Sequence, residues 1–231
     1  MDLAQKLEEV QSVIAYAADI SGRSAKDVTL IAVTKTHPSE VIDQISALGV
    51  HDIGENRAQE VCAKFPDIIN DDVRVHLIGH LQTNKVKTII DKAHMIHSVD
   101  SFHLAKEISH RAGLIGKVQQ VLLQVNVAGE EQKFGVSPEG LFELIEQVAP
   151  LDNLRVMGLM TIAPFVVEPQ ENRVHFAAMR ALFEKVSGQD YPHITMQHLS
   201  MGMSGDYAVA IEEGATMVRI GRTLFGERNY H

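Results

Sequence analysis

The sequence has few of the features that mark secreted, membrane or nucleic-acid-binding proteins. Its 231 residues include one cysteine, Cys62, so no internal disulfide can form and a reducing compartment is expected. Segment 1–20 carries acidic residues, has no basic start and has no continuous apolar run, unlike a signal peptide or a membrane span. The formal net charge is −9, with no compensating run of lysine or arginine. We therefore expect a cytoplasmic protein with no membrane and no nucleic-acid partner.

Short apolar segments rich in β-branched residues alternate with segments of helical periodicity. The hydrophobic content of 45% is ample for one sizeable core. The predicted strands cover residues 28–34, 50–53, 73–78, 95–99, 118–127, 154–162, 195–199 and 216–220. The clearest helical segments between them are 40–47, 140–149, 173–187 and 208–213. This alternation predicts parallel β-strands joined by helices.

Eight such β/α units are the number that closes a barrel. We therefore predict an α/β protein, a single (β/α)8 TIM barrel over residues 1–231, with an extra amino-terminal helix that precedes the first strand. No linker, low-complexity segment or internal repeat divides the chain. A doubly wound open sheet is the alternative, since the number of strands does not itself establish closure.

Two segments rich in small residues follow the last two predicted strands. They are residues 200–206 and 221–226, and both lead into possible helix amino termini, where backbone N–H groups favour an anion. In barrels of this kind, phosphates usually bind after the seventh and eighth strands. Each segment alone is compatible with an ordinary connection, but together they favour a phosphate-binding cup.

Lys35 and Arg219 are the charged residues that these strands place nearest the cup. Lys35 follows the first strand, and barrel closure would bring that strand beside the eighth. It is either a solvated strand end or an amine in a partly dry pocket, where it can form an imine. Arg219 shares one face of the eighth strand with Met217, so it needs a partner inside the barrel. That partner is either a carboxylate or the ring nitrogen of a pyridine cofactor.

Other common sites are not supported. His76 and His80 are four residues apart, but they lie on either side of a strand end and do not share a helix face as metal ligands would. Residues 202–205 do not form the turn that carries a serine nucleophile, and neither a dinucleotide fingerprint nor a P-loop occurs. No metal site is therefore expected.

With these residues in place, the sequence resembles a known family, the pyridoxal phosphate homeostasis proteins. The resemblance covers nearly the whole chain and rests on eight motifs in order. They are AVTK at 32–35, GENR at 54–57, HLIG at 76–79 with LQTNK at 81–85, QVN at 124–126, KFG at 133–135, GLM at 158–160, LSMGMS at 199–204, and VRIG at 218–221 with FG at 225–226. One such motif is weak evidence, whereas eight in the same order are highly specific.

The resemblance implies a fold-type III barrel that binds pyridoxal 5′-phosphate (PLP) and is similar to the N-terminal domain of alanine racemases. It implies that Lys35 forms an imine with PLP and that Arg219 faces the pyridine nitrogen. The residues expected to hold the phosphate are Ser200, Gly221, Arg222 and Thr223. Asn56 is expected to line the cofactor, and Lys133 to lie near the pocket in a loop.

The implied function is control of the PLP level inside the cell, by holding the cofactor and delivering or buffering it. The expected partners are PLP and PLP-requiring apoenzymes, and the expected assembly is a monomer or a weak homodimer. A PLP-dependent racemase-like enzyme is the alternative, and a cofactor-free aldolase is a more distant one. We expect no catalytic residues. The sequence ends five residues after Gly226, without the racemases' second domain, and nothing marks Tyr230 as a base.

Overall fold

The computed structural model describes residues 2–226 as a closed barrel of eight parallel strands, with helices around it. The strands are β1 (Thr29–Val33), β2 (Asp52–Glu55), β3 (Arg74–Leu77), β4 (Met95–Val99), β5 (Gln119–Gln124), β6 (Leu154–Met160), β7 (Ile194–Met203) and β8 (Met217–Ile220). The strands pair in chain order, and β8 pairs with β1 to close the ring. The predicted TIM barrel is confirmed, and the open-sheet alternative is wrong because closure leaves no free edge.

The helices follow the strands on the outside of the ring. They are α1 (Leu3–Ile20), α2 (Ser39–Ala47), α3 (Ala58–Lys64), α4 (Val86–Ile89), α5 (Phe102–Leu114), α6 (Leu141–Val148), α7 (Arg173–Ser187), α8 (Tyr207–Glu212) and α9 (Arg222–Phe225). The extra helix α1 packs against α8 and α9. Asp2 and Gln5 cap its start by exchanging hydrogen bonds between side chain and backbone. In residues 2–226, no helix is both long enough and apolar enough to cross a membrane. The cytoplasmic location stays a prediction.

Period-two alternation along each strand produces two apolar layers. Met217 belongs to a small cluster inside the barrel, formed with Ile31, Met95, Leu122, Met157 and Met160. Val218 and Ile220 belong to the larger cluster between the barrel and its helices. The expected division of β8 between two faces is confirmed, and it places Arg219 on the inner face.

Strand β7 is longer than the sequence suggested. We expected a loop from residue 200, but the strand continues to Met203, so that expectation is wrong for four residues. The register between β7 and β8 shifts between Ser200 and Met203. Gly202 lies within this irregularity at φ +90°, and a Cβ there would come within 2.6 Å of the Ala210 Cβ. A glycine therefore allows the strand to bend against α8 and to continue past Ser200.

Candidate functional site

A cavity of about 720 Å³ opens at the carboxyl ends of the strands, where a barrel places its functional residues. It lies over the seam between β1 and β8. Six of the eight predicted site residues line it: Lys35, Asn56, Lys133, Arg219, Gly221 and Arg222. The other two do not line it: Ser200 is fully buried, and the Thr223 backbone N–H donates to Ser204, which does line it. Six of the residues that line this cavity were therefore candidates from the sequence, and their roles stay predictions.

Lys35 lies in the turn that follows β1, and the residue before it is fixed in place. The Thr34 hydroxyl donates to Glu55 Oε1 at 2.7 Å. Lys64 Nζ donates to the Thr34 carbonyl at 2.9 Å and forms an ion pair with Glu55 at 2.7 Å. These contacts lie on the helix side of the strand, because alternation directs Thr34 away from Lys35. They fix the backbone from which the Lys35 amine reaches the cavity.

The residue after Lys35 is held in an uncommon conformation. Thr36 has φ +68°, a left-handed value that few residues other than glycine adopt. Its backbone N–H donates to Glu60 Oε2 at 3.2 Å, which supports this conformation. Strained backbone of this kind persists where the surrounding structure enforces it, often at functional sites.

Arg219 forms part of the cavity floor and is almost completely buried. Its Nη1 donates to Ser200 Oγ at 2.6 Å, and its Nη2 donates to the Thr161 carbonyl at 2.8 Å. Burial lowers the pKa of Arg219 to about 10, so the guanidinium remains charged at neutral pH. Across residues 2–226, no carboxylate lies within ion-pair distance of it. The alternative of a structural ion pair for Arg219 therefore does not hold in the described chain.

Ser200 is not placed where the phosphate role requires it. It is fully buried, and its hydroxyl contacts Arg219 and His97 Nδ1, the latter at 3.1 Å. The reason is the extension of β7, which keeps Ser200 inside the barrel. The sequence analysis missed Ser204, which lines the cavity and belongs to the same LSMGMS motif.

Ser204 brings three polar groups together at one end of the cavity. Its Oγ accepts from the backbone N–H groups of Gly221 and Thr223, at 3.2 and 3.4 Å. With those lone pairs engaged, its hydroxyl proton is free to donate to a ligand. Arg222 is exposed and lines the same region. These groups form a corner suited to an anion, here called the anion-binding corner; it lies within the predicted cup of residues 200–206 and 221–226, with Ser204 in place of Ser200.

Asp206 is buried at the cavity and keeps the adjacent loop in shape. Its Oδ1 accepts from the Met203 backbone N–H at 2.7 Å, and its Oδ2 accepts from Asn172 Nδ2 at 2.8 Å. These hydrogen bonds fix the turn that carries Ser204. Asp206 therefore has a supporting role beside the anion-binding corner.

The opposite wall of the cavity is formed by loops after β2, β3 and β5. A Cβ at Gly79 would lie 2.3 Å from the Asn56 carbonyl oxygen, so a glycine is needed for this close approach.

The loop after β5 carries Lys133, which forms an ion pair with Glu130. The next residue, Phe134, stacks on the His80 ring with 3.8 Å between the ring centroids. His80 thus supports the Lys133 loop. Residues 2–226 contain no group of three potential metal ligands.

The charges around the cavity fit a phosphorylated aldehyde. Among the described residues that line it, four side chains are cationic, Lys35, Lys133, Arg219 and Arg222, against the single carboxylate of Asp206. A phosphate suits the Ser204 corner, an aldehyde suits a lysine amine, and a pyridine nitrogen can accept from a guanidinium, which only donates. The residues present therefore fit PLP.

Comparison with known proteins agrees with this chemistry. The model of the family "Alanine racemase, N-terminal domain" matches residues 10–229. A pyridoxal phosphate homeostasis protein of Aquifex aeolicus is 45% identical over 230 residues and is covered completely, as is this chain. The Pseudomonas aeruginosa protein of the same name is 39% identical, with 99% of this chain and 96% of that protein covered.

Solved structures show the same relationship. PipY of Synechococcus elongatus, solved with PLP bound, superposes with a TM-score of 0.85 at 34% identity, covering 97% of this chain and all of PipY. An alanine racemase of Clostridium difficile has a TM-score of 0.70 at 17% identity, over 99% of this chain and 57% of the racemase, which shows a shared fold alone. The resemblance inferred from the motifs is confirmed. The chain belongs to the pyridoxal phosphate homeostasis proteins, within the family of the alanine racemase N-terminal domain.

Proposed function

We propose that this protein binds PLP in the cavity at the β1–β8 seam and serves PLP homeostasis by holding, buffering and delivering the cofactor. The observation that carries the proposal is the placement of the Lys35 amine, the Arg219 guanidinium and the Ser204 corner around one cavity. The relatives named above as PLP homeostasis proteins support the same function.

Each part of the cavity has a separate role in this proposal. Lys35 supplies the amine for covalent attachment, and Arg219 donates a hydrogen bond to the ring nitrogen. The Ser204 hydroxyl donates to the phosphate, and the backbone N–H groups of Gly221 and Thr223 hold that hydroxyl in place by donating to its oxygen. PLP supplies a reactive aldehyde when it is bound. Attachment to an amine shields that aldehyde from other nucleophiles in the cell.

Asn56, Lys133 and Arg222 complete the proposed site. Asn56 lines the wall that faces the cofactor, and Lys133 lies in the loop over it. Arg222 adds positive charge beside the phosphate. Ser200, which the sequence assigned to the phosphate, instead acts through Arg219. We propose that residues 1–231 form one PLP-binding domain around this site.

The cavity is better suited to holding PLP than to turning over an amino acid. Racemisation needs a positioned acid or base on each face of the cofactor. Among the described residues that line the cavity there is no tyrosine and no histidine. The remaining amine, Lys133, is ion-paired with Glu130. Arg219 keeps its own proton and leaves the ring nitrogen unprotonated, which makes the ring a poorer electron sink. Tyr230 lies outside the described residues.

The mouth of the cavity is suited to release to another protein. Phe165 lines the cavity and is 87% exposed, and Val167 nearby is 85% exposed. Exposed apolar side chains at the rim of a binding site favour contact with a protein. PLP-requiring apoenzymes are the partners we propose, and a monomer or weak homodimer remains the predicted assembly.

The first prediction concerns covalent attachment. Lys35→Ala should abolish the PLP adduct that borohydride reduction makes permanent, while the fold is kept, because Lys35 lies in a turn at the cavity. Intact-protein mass spectrometry after reduction measures the adduct, and Lys106→Ala, a change of an exposed lysine on α5, is the matched control. A full adduct in Lys35→Ala would place the attachment elsewhere, with Lys133 the next candidate.

The second prediction separates two serines. Ser204→Ala should weaken PLP binding about ten- to a hundredfold and leave unphosphorylated pyridoxal nearly unchanged, because a hydrogen bond to a charged group contributes about 1.5–3 kcal/mol. Ser200→Ala should weaken both ligands alike, since it acts through Arg219. Titration of each variant with both ligands measures the difference. Equal losses for both ligands in Ser204→Ala would contradict the assigned phosphate corner.

The third prediction concerns turnover. The PLP-loaded protein should not racemise or transaminate L-alanine, D-alanine or a panel of other amino acids, because lack of one positioned acid or base typically costs about 10²–10⁴-fold in rate. Optical rotation and keto-acid formation are the measurements. Multiple turnovers per second, abolished by Lys35→Ala, would instead establish an enzyme.

A further inference from the structure

A row of buried polar side chains runs through the barrel beneath the cavity. Such interiors are usually filled with branched apolar residues. Here Asp52 of β2, His76 of β3, His97 of β4 and Ser200 of β7 lead to Arg219 of β8, and all five are at most 8% exposed. We call these five residues the interior row.

Each member of the interior row contacts the next within hydrogen-bond distance. Arg219 Nη1 lies 2.6 Å from Ser200 Oγ, which lies 3.1 Å from His97 Nδ1. His97 Nε2 is 2.9 Å from His76 Nδ1, and His76 Nε2 is 2.9 Å from Asp52 Oδ1. These distances are in the normal range for hydrogen bonds. The row is therefore continuous from the start of β2 to the cavity floor.

The residues at the two ends of the interior row, Arg219 and Asp52, set the donor-to-acceptor direction of its hydrogen bonds. A guanidinium only donates and a carboxylate only accepts. Burial alone would raise the pKa of Asp52, but hydrogen bonds from Arg74 and His76 outweigh it and hold that pKa well below its ordinary value. Asp52 is thus an anion, and His76 Nε2 must carry the proton in their contact.

The two histidines then take one consistent arrangement. Burial lowers the pKa of His97 well below its ordinary value, with smaller contributions from His76 and Arg219, so one of its nitrogens donates and the other accepts. If His97 donates to His76, its Nδ1 accepts from the Ser200 hydroxyl. In the reverse arrangement the Ser200 proton would have no acceptor in the described surroundings, at the cost of an unsatisfied buried donor.

The protons therefore point in one direction, from Arg219 to Asp52. The Ser200 hydroxyl is held as a donor to His97, so its lone pairs face the guanidinium. Ser200 and the Thr161 carbonyl are the two recorded anchors of Arg219 in residues 2–226. Without a fixed Ser200 oxygen, the guanidinium would keep one anchor and could turn away from the cavity.

We propose that Asp52, His76 and His97 are positioning residues for the pyridine contact of the cofactor. They fix the Ser200 hydroxyl, and Ser200 in turn orients Arg219 toward the ring nitrogen. This inference rests on the proposed PLP function. It assigns a role to histidines and a carboxylate that lie outside the cavity and do not touch the ligand.

The test compares PLP with an analogue that has C–H in place of the ring nitrogen. Wild type should bind PLP more tightly than the analogue, because only PLP can accept from Arg219. In His97→Leu this preference should fall about tenfold, the effect of losing one well-placed hydrogen bond, while binding of the analogue is unchanged. An unchanged preference, or an equal loss for both ligands, would overturn the positioning role.

Two further variants make the result specific. His97→Asn places an amide oxygen near the position of Nδ1, where it can accept from Ser200, so it should restore much of the preference. Ser98→Ala is the control: it is a buried neighbour on the other face of β4, and its hydroxyl has no recorded hydrogen-bond partner. It should leave the preference as in wild type, and a loss there as large as in His97→Leu would contradict the proposal.

Unfolding curves without ligand show which variants are folded. If His97→Leu is not, Asp52→Leu carries the test, because it keeps the approximate shape of the side chain and removes the oxygen that accepts from His76. Its preference for PLP should also fall, and an unchanged value in folded protein would overturn the proposal. Wild-type protein that binds neither ligand would refute the PLP function itself. If the variants kept the wild-type preference for PLP over the analogue, only the positioning role would be refuted.

Discussion

Burial of the Arg219 charge inside the barrel is the constraint on which the site depends. An unpaired buried charge is expensive, and in the described chain no carboxylate lies within ion-pair distance of this guanidinium. The Asp206 charge acts on it from farther away and raises its pKa. The buried charge is stabilised by hydrogen bonds to the Thr161 carbonyl and the Ser200 hydroxyl. Behind Ser200, the interior row ends at the Asp52 anion. The polar interior and the cavity floor are therefore parts of one arrangement. An apolar barrel interior could not hold a guanidinium at this place.

Closure of the barrel brings the Lys35 turn after β1 next to the anion-binding corner at the turn after β8. Ile31 of β1 pairs with Arg219 of β8, so the turn with Lys35 and the turn after β8 are neighbours despite their distance in sequence. The bend at Gly202 then brings Ser204 over the same turn. The amine, the guanidinium and the anion-binding corner thus follow from strand pairing and one irregularity in β7.

The sequence predicted the barrel and six of the residues that line the cavity, because strand ends and side-chain alternation are local features. Alternation along β8 placed Arg219 on the inner face, and Lys35 could be placed at the end of a strand. The position of Ser200 was wrong because the continuation of β7 depends on how Gly202 packs against α8. No periodicity along a single strand reports that packing.

The interior row was missed for a different reason. Its members lie on four strands besides β8, and their contacts depend on the register between strands far apart in the chain. The sequence pairs His76 with His80, four residues later, whereas its partners in the structure are Asp52 and His97. Contacts of this kind appear only when the ring is closed.

The ¹⁵N chemical shift of the ring nitrogen in labelled PLP, bound to the wild-type protein, measures the proposed contact with Arg219 directly. Because Arg219 can only donate, the nitrogen should be unprotonated, with a shift that shows it accepting a hydrogen bond. The shift should move toward that of a free pyridine nitrogen when Arg219 is replaced by methionine. A protonated ring nitrogen, or a shift unaffected by Arg219→Met, would contradict the proposed contact at the centre of the site.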